Sequence, residues 1–345
     1  MIPIQNIYYM LSYAFQVLNE QGYKNIATEQ FHNTAELMAA ILEKGIAIQL
    51  KRGLGKEYIP QTEALSSLRG KIDIAESIKT QSMLRKQLIC TYDEFSVNSI
   101  MNQIIKSTVE LLLRSNISKQ RKKNLRKLMV YFSEVDFIDS YTVNWNVQYN
   151  RNNQTYRMLI SICYLVVKGL LQTQSNGHTK LMDFLDEQRM CRLYEKFILE
   201  YYRKEFKNQI TANASQIPWQ LDNEENSMLS VMQSDIMLQS GEKVLIIDAK
   251  YYEHSTQVQF DKHTLHSGNL CQIFTYVKNK EYELREKDHT VSGMLLYAKT
   301  DEEIYPNNVY QMSGNQIAVR TLDLNLPFDE IASQLNTIAK THFDL

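Results

Sequence analysis

The feature that most constrains this chain of 345 residues is a hairpin signature in its second half. An apolar segment from Ser234 to Leu238 is followed by the turn Gln239-Ser240-Gly241-Glu242. A second apolar run, Lys243 to Ile247, then ends in Asp248-Ala249-Lys250. Two such runs around a Gly-containing turn read as antiparallel strands. Side chains alternate along a strand with period two, so Asp248 and Lys250 emerge on one face while Ala249 points away. Asp235, at the start of the first strand, can lie beside them. Two carboxylates brought together repel each other unless a cation intervenes, and a hard divalent ion such as Mg2+ takes a few oxygen ligands plus retained waters. Asp235 and Asp248 are therefore candidate metal ligands, and the backbone carbonyl of Ala249 is a candidate further oxygen. Lys250 stands where it can orient an attacking water or neutralise charge in the hydrolysis of a phosphodiester.

A lone Asp-x-Lys has a high chance rate, so its neighbours matter. The segment Ser267 to Val277 reads as a helix carrying Gln272 and Tyr276 four residues apart on one face. A longer helical pattern, Leu185 to Phe206, carries Glu195, and Ser292 to Ala298 reads as another apolar strand. The order helix, hairpin, helix, strand predicts an α/β domain with a mixed sheet flanked by helices. The first half reads as mainly helical with some strand. Helices are expected over Asn6–Leu18, Thr34–Leu50, Met101–Leu113 and Tyr156–Leu171, and strand or extended loop over Tyr58-Ile59-Pro60 and Leu68 to Asp73. The polar stretch Gln172 to Lys180 marks a boundary, giving an N-terminal domain of residues 1–176 and a C-terminal domain of residues 177–345.

Lys plus Arg number 38 and Asp plus Glu 39, so no global positive field draws the chain to nucleic acid, and DNA contact must come from a local patch or a partner. The run Lys119 to Lys127 could track phosphates or form a solvated helix face. The four cysteines are widely spaced and read as reduced, mostly buried thiols. No signal peptide or membrane span is evident, which points to the cytoplasm. Gly53-Leu54-Gly55-Lys56-Glu57 lacks the spacing of a Walker A loop, so any GTP is expected to bind elsewhere than on this chain. His254, His263 and His266 read as a surface connection, with a metal role as the alternative. Tyr251 and Tyr252 could stack on DNA or cover a sheet edge, and Tyr8 and Tyr9 read as core or partner contact.

Asp235…Asp248-Ala249-Lys250 resembles the PD-(D/E)xK nuclease pattern, and Gln272…Tyr276 resembles its QxxxY helix motif. Over nearly its full length the chain resembles the McrC family of nuclease subunits of McrBC-type restriction systems. The likeness runs through Ile2 to Ala14, Leu68-Arg69-Gly70-Lys71-Ile72-Asp73, Asn102 to Thr108, and Ile247-Asp248-Ala249-Lys250-Tyr251-Tyr252. It implies a restriction-endonuclease-like C-terminal domain using Mg2+, with Asp235 and Asp248 as metal-binding acids, Lys250 as the catalytic lysine and Glu195 as a helix acid. Ser234 replaces the proline of the nominal motif. It also implies an N-terminal domain that docks on a separate AAA+ GTPase of the McrB type, which binds the GTP. That GTPase reads 5-methylcytosine-type modification in double-stranded DNA within a larger hetero-oligomer. The projecting stretch Arg52 to Asp73, with Arg69, is the expected docking element. Two other readings remain. One is a stand-alone repair or recombination nuclease that cuts without a GTPase. The other is a non-cutting regulator of an AAA+ ring, against which the intact triad argues.

Overall fold

The first apolar helix of the chain, α1 (Ile4–Ala14), does not join the helices that follow it in sequence. The computed structural model describes residues 2–345 apart from 20–22, 24–25, 27–28, 30, 140–141, 152, 176–186, 223–227, 253–256, 260–261 and 300–304. The chain divides into one unit of Gln30–Met182 and another in which Met1–Glu29 joins Asp183–Leu345. This corrects the contiguous division at residue 176: the N-terminal 29 residues belong with the C-terminal half. The boundary segment itself lies outside the described residues. The reason is physical. The buried face of α1, Ile7, Met10, Leu11 and Ala14, meets a helix of the second unit, and Asn6 Nδ2 donates to the carbonyls of Leu324 and Leu326, both at 2.8 Å.

The unit Gln30–Met182 contains α2 (Thr34–Arg52), β1 (Glu57–Leu65), β2 (Lys71–Asp73), α3 (Ile74–Lys79), β3 (Leu88–Ser96), α4 (Ile100–Arg114), α5 (Lys119–Met129) and α6 (Tyr156–Ser175). Helices α2, α4, α5 and α6 pack through Leu37, Ile41, Ile104, Val109, Leu125 and Ile162. Asn33 caps α2 by accepting from the Glu36 amide at 2.8 Å, one of the orphan donors of a helix start. The strands form an antiparallel sheet in the order β1-β3-β2. Its central strand, β3, is absent from the sequence reading because Thr91, Asp93 and Glu94 dilute its apolar alternation. At Gly70 (φ +70°) a Cβ would lie 2.3 Å from the Thr91 carbonyl oxygen, so only glycine fits. Gly55 of the Walker-like segment is a structural joint, since its amide donates to Tyr156 Oη at 2.7 Å and that hydroxyl donates to buried Asn102 at 2.8 Å. Within the basic run, Arg121 pairs with Glu36 (3.4 Å) and Glu43 (2.9 Å), holding α5 to α2.

The second unit adds to α1 the helix α7 (Glu187–Glu205) and strands β4 (Thr211–Asn213), β5 (Gln216–Ile217), β6 (Met232–Gln233), β7 (Ile236–Ser240), β8 (Lys243–Lys250), β9 (Gln257–Gln259) and β10 (Lys262–Thr264). These are followed by α8 (Ser267–Leu284), β11 (Thr290–Ala298), β12 (Asn308–Met312), β13 (Asn315–Leu322) and α9 (Phe328–Phe343). The six-stranded sheet has the order β12-β13-β11-β8-β7-β4. It is mixed: β8, β11 and β13 run parallel, and the β4/β7, β7/β8 and β12/β13 pairs are antiparallel. Parallel neighbours need a crossover, and α8 supplies it between β8 and β11. The expected α/β sheet with flanking helices is therefore present, with β4, β12, β13 and α9 among the elements added beyond those read from sequence. No helix among the described residues is long and apolar enough to cross a membrane.

One face of the sheet, Met237, Val244, Ile246, Leu295 and Ile317, packs on Ile273, Tyr276 and Val277 of α8. Gly293 makes this close approach possible, because a Cβ there would lie 2.8 Å from both Ile273 and Ile317 and 2.9 Å from Val277. Gly293→Val is expected to destabilise the protein by roughly 1–3 kcal/mol through overpacking. Urea unfolding that gave an unchanged midpoint would contradict this packing.

Candidate active site

The ladder between β7 and β8 ends at the pair Ile236–Ile247, and the same register carried one step further sets Asp235 opposite Asp248. Asp235 thus sits just before its strand rather than within it, as Ser234–Leu238 would have had it. Beyond the last rung the Ala249 amide would lose its strand partner. Asp235 supplies one, its Oδ2 accepting from that amide at 3.0 Å. Ser234 fixes the approach in the place of the motif proline. Its amide donates to the Ser215 carbonyl at 3.0 Å, and its buried hydroxyl donates to the same oxygen at 3.2 Å.

Period two on β8 directs Asp248 and Lys250 to the face that packs on α8. Asp248 is 1% exposed. Lys250 Nζ lies 2.8 Å from Asp248 Oδ2, yet that buried oxygen receives no hydrogen bond of acceptable geometry. The contact is an ion pair that leaves the oxygen open for another electropositive partner. Lys250 also donates to Gln272 Oε1 at 3.2 Å, and Gln272 Nε2 donates to Tyr276 Oη at 2.9 Å. The i, i+4 pair read from sequence is therefore a relay along α8 that ends on the lysine. Glu195 comes from α7, where the Cys191 thiol donates to its Oε1 at 3.0 Å. The same thiol faces the Ala249 carbonyl at 3.9 Å, so this candidate ligand oxygen already has a weak contact.

The electrostatics follow from this crowding. Burial, then the Asp248 and Glu195 carboxylates, push the Asp235 carboxyl up to about 8. Burial likewise raises Glu195. Burial pulls Lys250 down, but the Asp248 carboxylate outweighs it and the net shift is upward, so the lysine stays charged. Among the described residues no three His, Cys, Asp or Glu side chains form a metal-binding group by themselves. A cation here would rest on two carboxylates, backbone oxygen and water, which suits magnesium better than zinc. Asp248 Oδ2 and the Asp235 carboxylate fit such an ion on their chemistry.

A cleft of about 370 Å³ opens beside Asp235 and Glu195, lined also by Arg192, Lys196, Gln233 and Ser234. The sequence reading passed over Arg192, Lys196 and Cys191. Cys191 and Arg192 stand at helical spacing from Glu195, and Lys196 follows it directly. The sequence reading also passed over Asn269, which donates to buried Tyr297 at 2.9 Å beside Lys250. Of the other sequence candidates, Tyr251 packs on Tyr194 and Tyr252 contacts Asn269, both half-buried. Tyr8 is buried and Tyr9 stacks on Phe328. His266 occupies the N-cap position of α8 without a side-chain capping bond and lies against Tyr252. His254 and the His263 side chain lie outside the described residues. The cysteines are free, but Cys271 is exposed and Cys191 half-buried, so only Cys90 and Cys163 match the buried thiols expected.

A mixed sheet whose hairpin ends in paired acids and a lysine, backed by a helix carrying Gln and Tyr one turn apart, defines a domain of the restriction-endonuclease-like class. The chain belongs to the family described as McrBC 5-methylcytosine restriction system component, whose model matches residues 5–298. It is 29% identical over 342 residues to a relative from Escherichia coli (strain K12) named type IV methyl-directed restriction enzyme EcoKMcrBC, covering 97% of this chain and 96% of that one. Among solved structures it is similar to a chain of the half-complex from a tetradecameric assembly of Thermococcus gammatolerans McrB AAA+ hexamers with bound McrC. There the identity is 18% and the TM-score 0.49, over 97% of this chain and 76% of that one. A chain of the T. gammatolerans McrBC complex gives 21% identity and a TM-score of 0.39, over 49% of this chain and 55% of that one.

The proton held by Asp235 has a measurable consequence. A carboxyl raised above its ordinary 3.8 contributes stability at low pH and loses it as pH climbs toward about 8. A cation entering the site displaces that proton, so its affinity rises over the same window. Mg2+ is expected to raise the melting temperature more at pH 8 than at pH 6. An equal increment at both pH values would contradict the raised Asp235 carboxyl.

Proposed function

We propose that this chain is the DNA-cutting subunit of a GTP-dependent restriction complex that acts in the cytoplasm on DNA carrying 5-methylcytosine-type modification. The observation that carries the reading is the pair Asp235 and Asp248 at the open end of the β7/β8 ladder, with Lys250 2.8 Å from Asp248. Asp235 and Asp248 would hold Mg2+, with the Ala249 carbonyl at its edge. When bound, the ion would polarise a phosphodiester and lower the pKa of water. Lys250 would hold the attacking water or the charge that develops on the phosphate. Gln272 fixes the ammonium and Tyr276 fixes Gln272, so the lysine is oriented before substrate arrives. Glu195, opposite them on α7, would hold a proton or orient a second water.

The partner would be an AAA+ GTPase that binds the nucleotide, as the McrB hexamers are bound by McrC in the T. gammatolerans structure. The surface offered to it would be the three-stranded sheet of the unit Gln30–Met182. Its strand side chains Tyr58 and Phe95 are exposed, as is Leu68 in the β1–β2 connection, and Arg69 lies 4.1 Å from the Tyr92 ring centroid.

One experiment separates these roles: DNA cleavage and GTP turnover measured together, with the full chain and the GTPase that co-purifies with it. Asp248→Asn should abolish cleavage and leave GTP turnover unchanged. Lys250→Ala should slow single-turnover cleavage by about 10²–10³-fold without weakening metal binding. Arg69→Ala should lower stimulated GTP turnover. Wild-type cutting by a folded Asp248→Asn protein would overturn the nuclease assignment, and unchanged turnover with Arg69→Ala would remove that residue from the docking surface.

A further inference from the structure

With Lys plus Arg at 38 against Asp plus Glu at 39, the chain as a whole offers a polyanion no net attraction, so any nuclease site on it needs local cations. The cleft at the active site has them. Arg192, Glu195, Lys196 and Leu199 follow one another at i, i+3, i+4 and i+7 on α7, and all four line the cleft that also contains Asp235. The two cations therefore face the same space as the acids, one helical turn apart. Their positions are not accidental rim positions. Lys196 Nζ sits 4.0 Å from the centroid of the ring of Phe15, the C-cap residue of α1, which restrains the long side chain. Glu195, between them, is occupied on its inner side by the Cys191 thiol at 3.0 Å.

We propose that Arg192 and Lys196 bind non-bridging oxygens of the phosphates that flank the scissile one, seating a DNA strand in the cleft with its reacting phosphate at Asp235 and Asp248. This rests on the nuclease reading above and adds the substrate-seating residues to it. The arginine presents a fork able to take two oxygens of one phosphate, whereas the lysine is a point charge fixed by its aromatic support. Neither side chain touches the reacting atoms, so their removal should weaken binding to any DNA sequence alike.

The test is binding of a short labelled DNA duplex to the full-length protein, with Ca2+ in place of Mg2+ to prevent cutting, across NaCl concentrations from ~50 to ~200 mM. Each phosphate that is no longer neutralised should reduce the slope of log affinity against log salt by about 0.9, so Arg192→Ala with Lys196→Ala should reduce it by about 2. The charge-conserving pair Arg192→Lys and Lys196→Arg should keep the wild-type slope, a rescue that a merely structural role would not give. If the wild type shows a salt-dependent slope and the double alanine variant shows the same one, the seating residues are overturned while the nuclease reading stands. If the wild type binds no DNA under any of these conditions, the seating residues are overturned, and cleavage measured together with the GTPase decides the nuclease reading separately.

Discussion

The second unit is organised around a carboxylate with 1% exposure at the end of a strand buried on both faces. An isolated ion in such a place costs several kcal/mol, so the surroundings of Asp248 must offset it. They do so incompletely. Lys250 supplies the counter-charge at 2.8 Å, and Asp235 accepts a hydrogen bond from the Ala249 amide. Burial, then the Asp248 and Glu195 carboxylates, raise the Asp235 carboxyl, and three acids against Lys250 leave an excess of negative charge that a divalent cation would offset.

Keeping such a site in place requires rigid supports on both sides. On one side α8 comes close to the sheet over Gly293 and carries the Gln272–Tyr276 relay to Lys250. On the other, α7 carries Glu195, Arg192 and Lys196, and its far face is pinned by aromatic rings. Tyr9 stacks on Phe328 with centroids 4.4 Å apart, and Tyr13 lies 5.2 Å from Tyr201, joining α1, α7 and α9. Tyr202 adds a hydrogen bond to the Leu335 carbonyl at 3.0 Å. The N-terminal helix is thus part of the support of the site, and the chain leaves that support directly for the unit Gln30–Met182.

The hairpin was legible because turn chemistry and apolar runs specify it locally, and register then fixes which side chains share a face. The helices expected from sequence were legible through their apolar spacing, with ends misplaced by a few residues and, in α8, by the stretch from Val277 to Leu284. What could not be read depends on contacts distant in sequence. Nothing in Ile7, Met10 or Leu11 announces that their face meets α7 some 190 residues away. Strand β3 alternates too weakly to stand out until β1 and β2 pair with it on either side. Around the site, Asp235, Asp248, Lys250, Gln272 and Tyr276 carried motif spacing. Cys191, Arg192, Lys196, Asn269 and Tyr297 did not, since their relevance comes from which wall of the cleft or sheet they occupy. The basic run misled in part, because Arg121 serves as an internal strut.

The central claim is that Asp235 and Asp248 are held together for a divalent cation. Crystals of the full-length protein soaked in Mn2+, with diffraction collected at its absorption edge, test this most directly. The account predicts an anomalous peak bridging the Asp235 and Asp248 carboxylates, abolished in Asp248→Asn. A peak absent from that position at saturating Mn2+, or one unchanged in the variant, would contradict it.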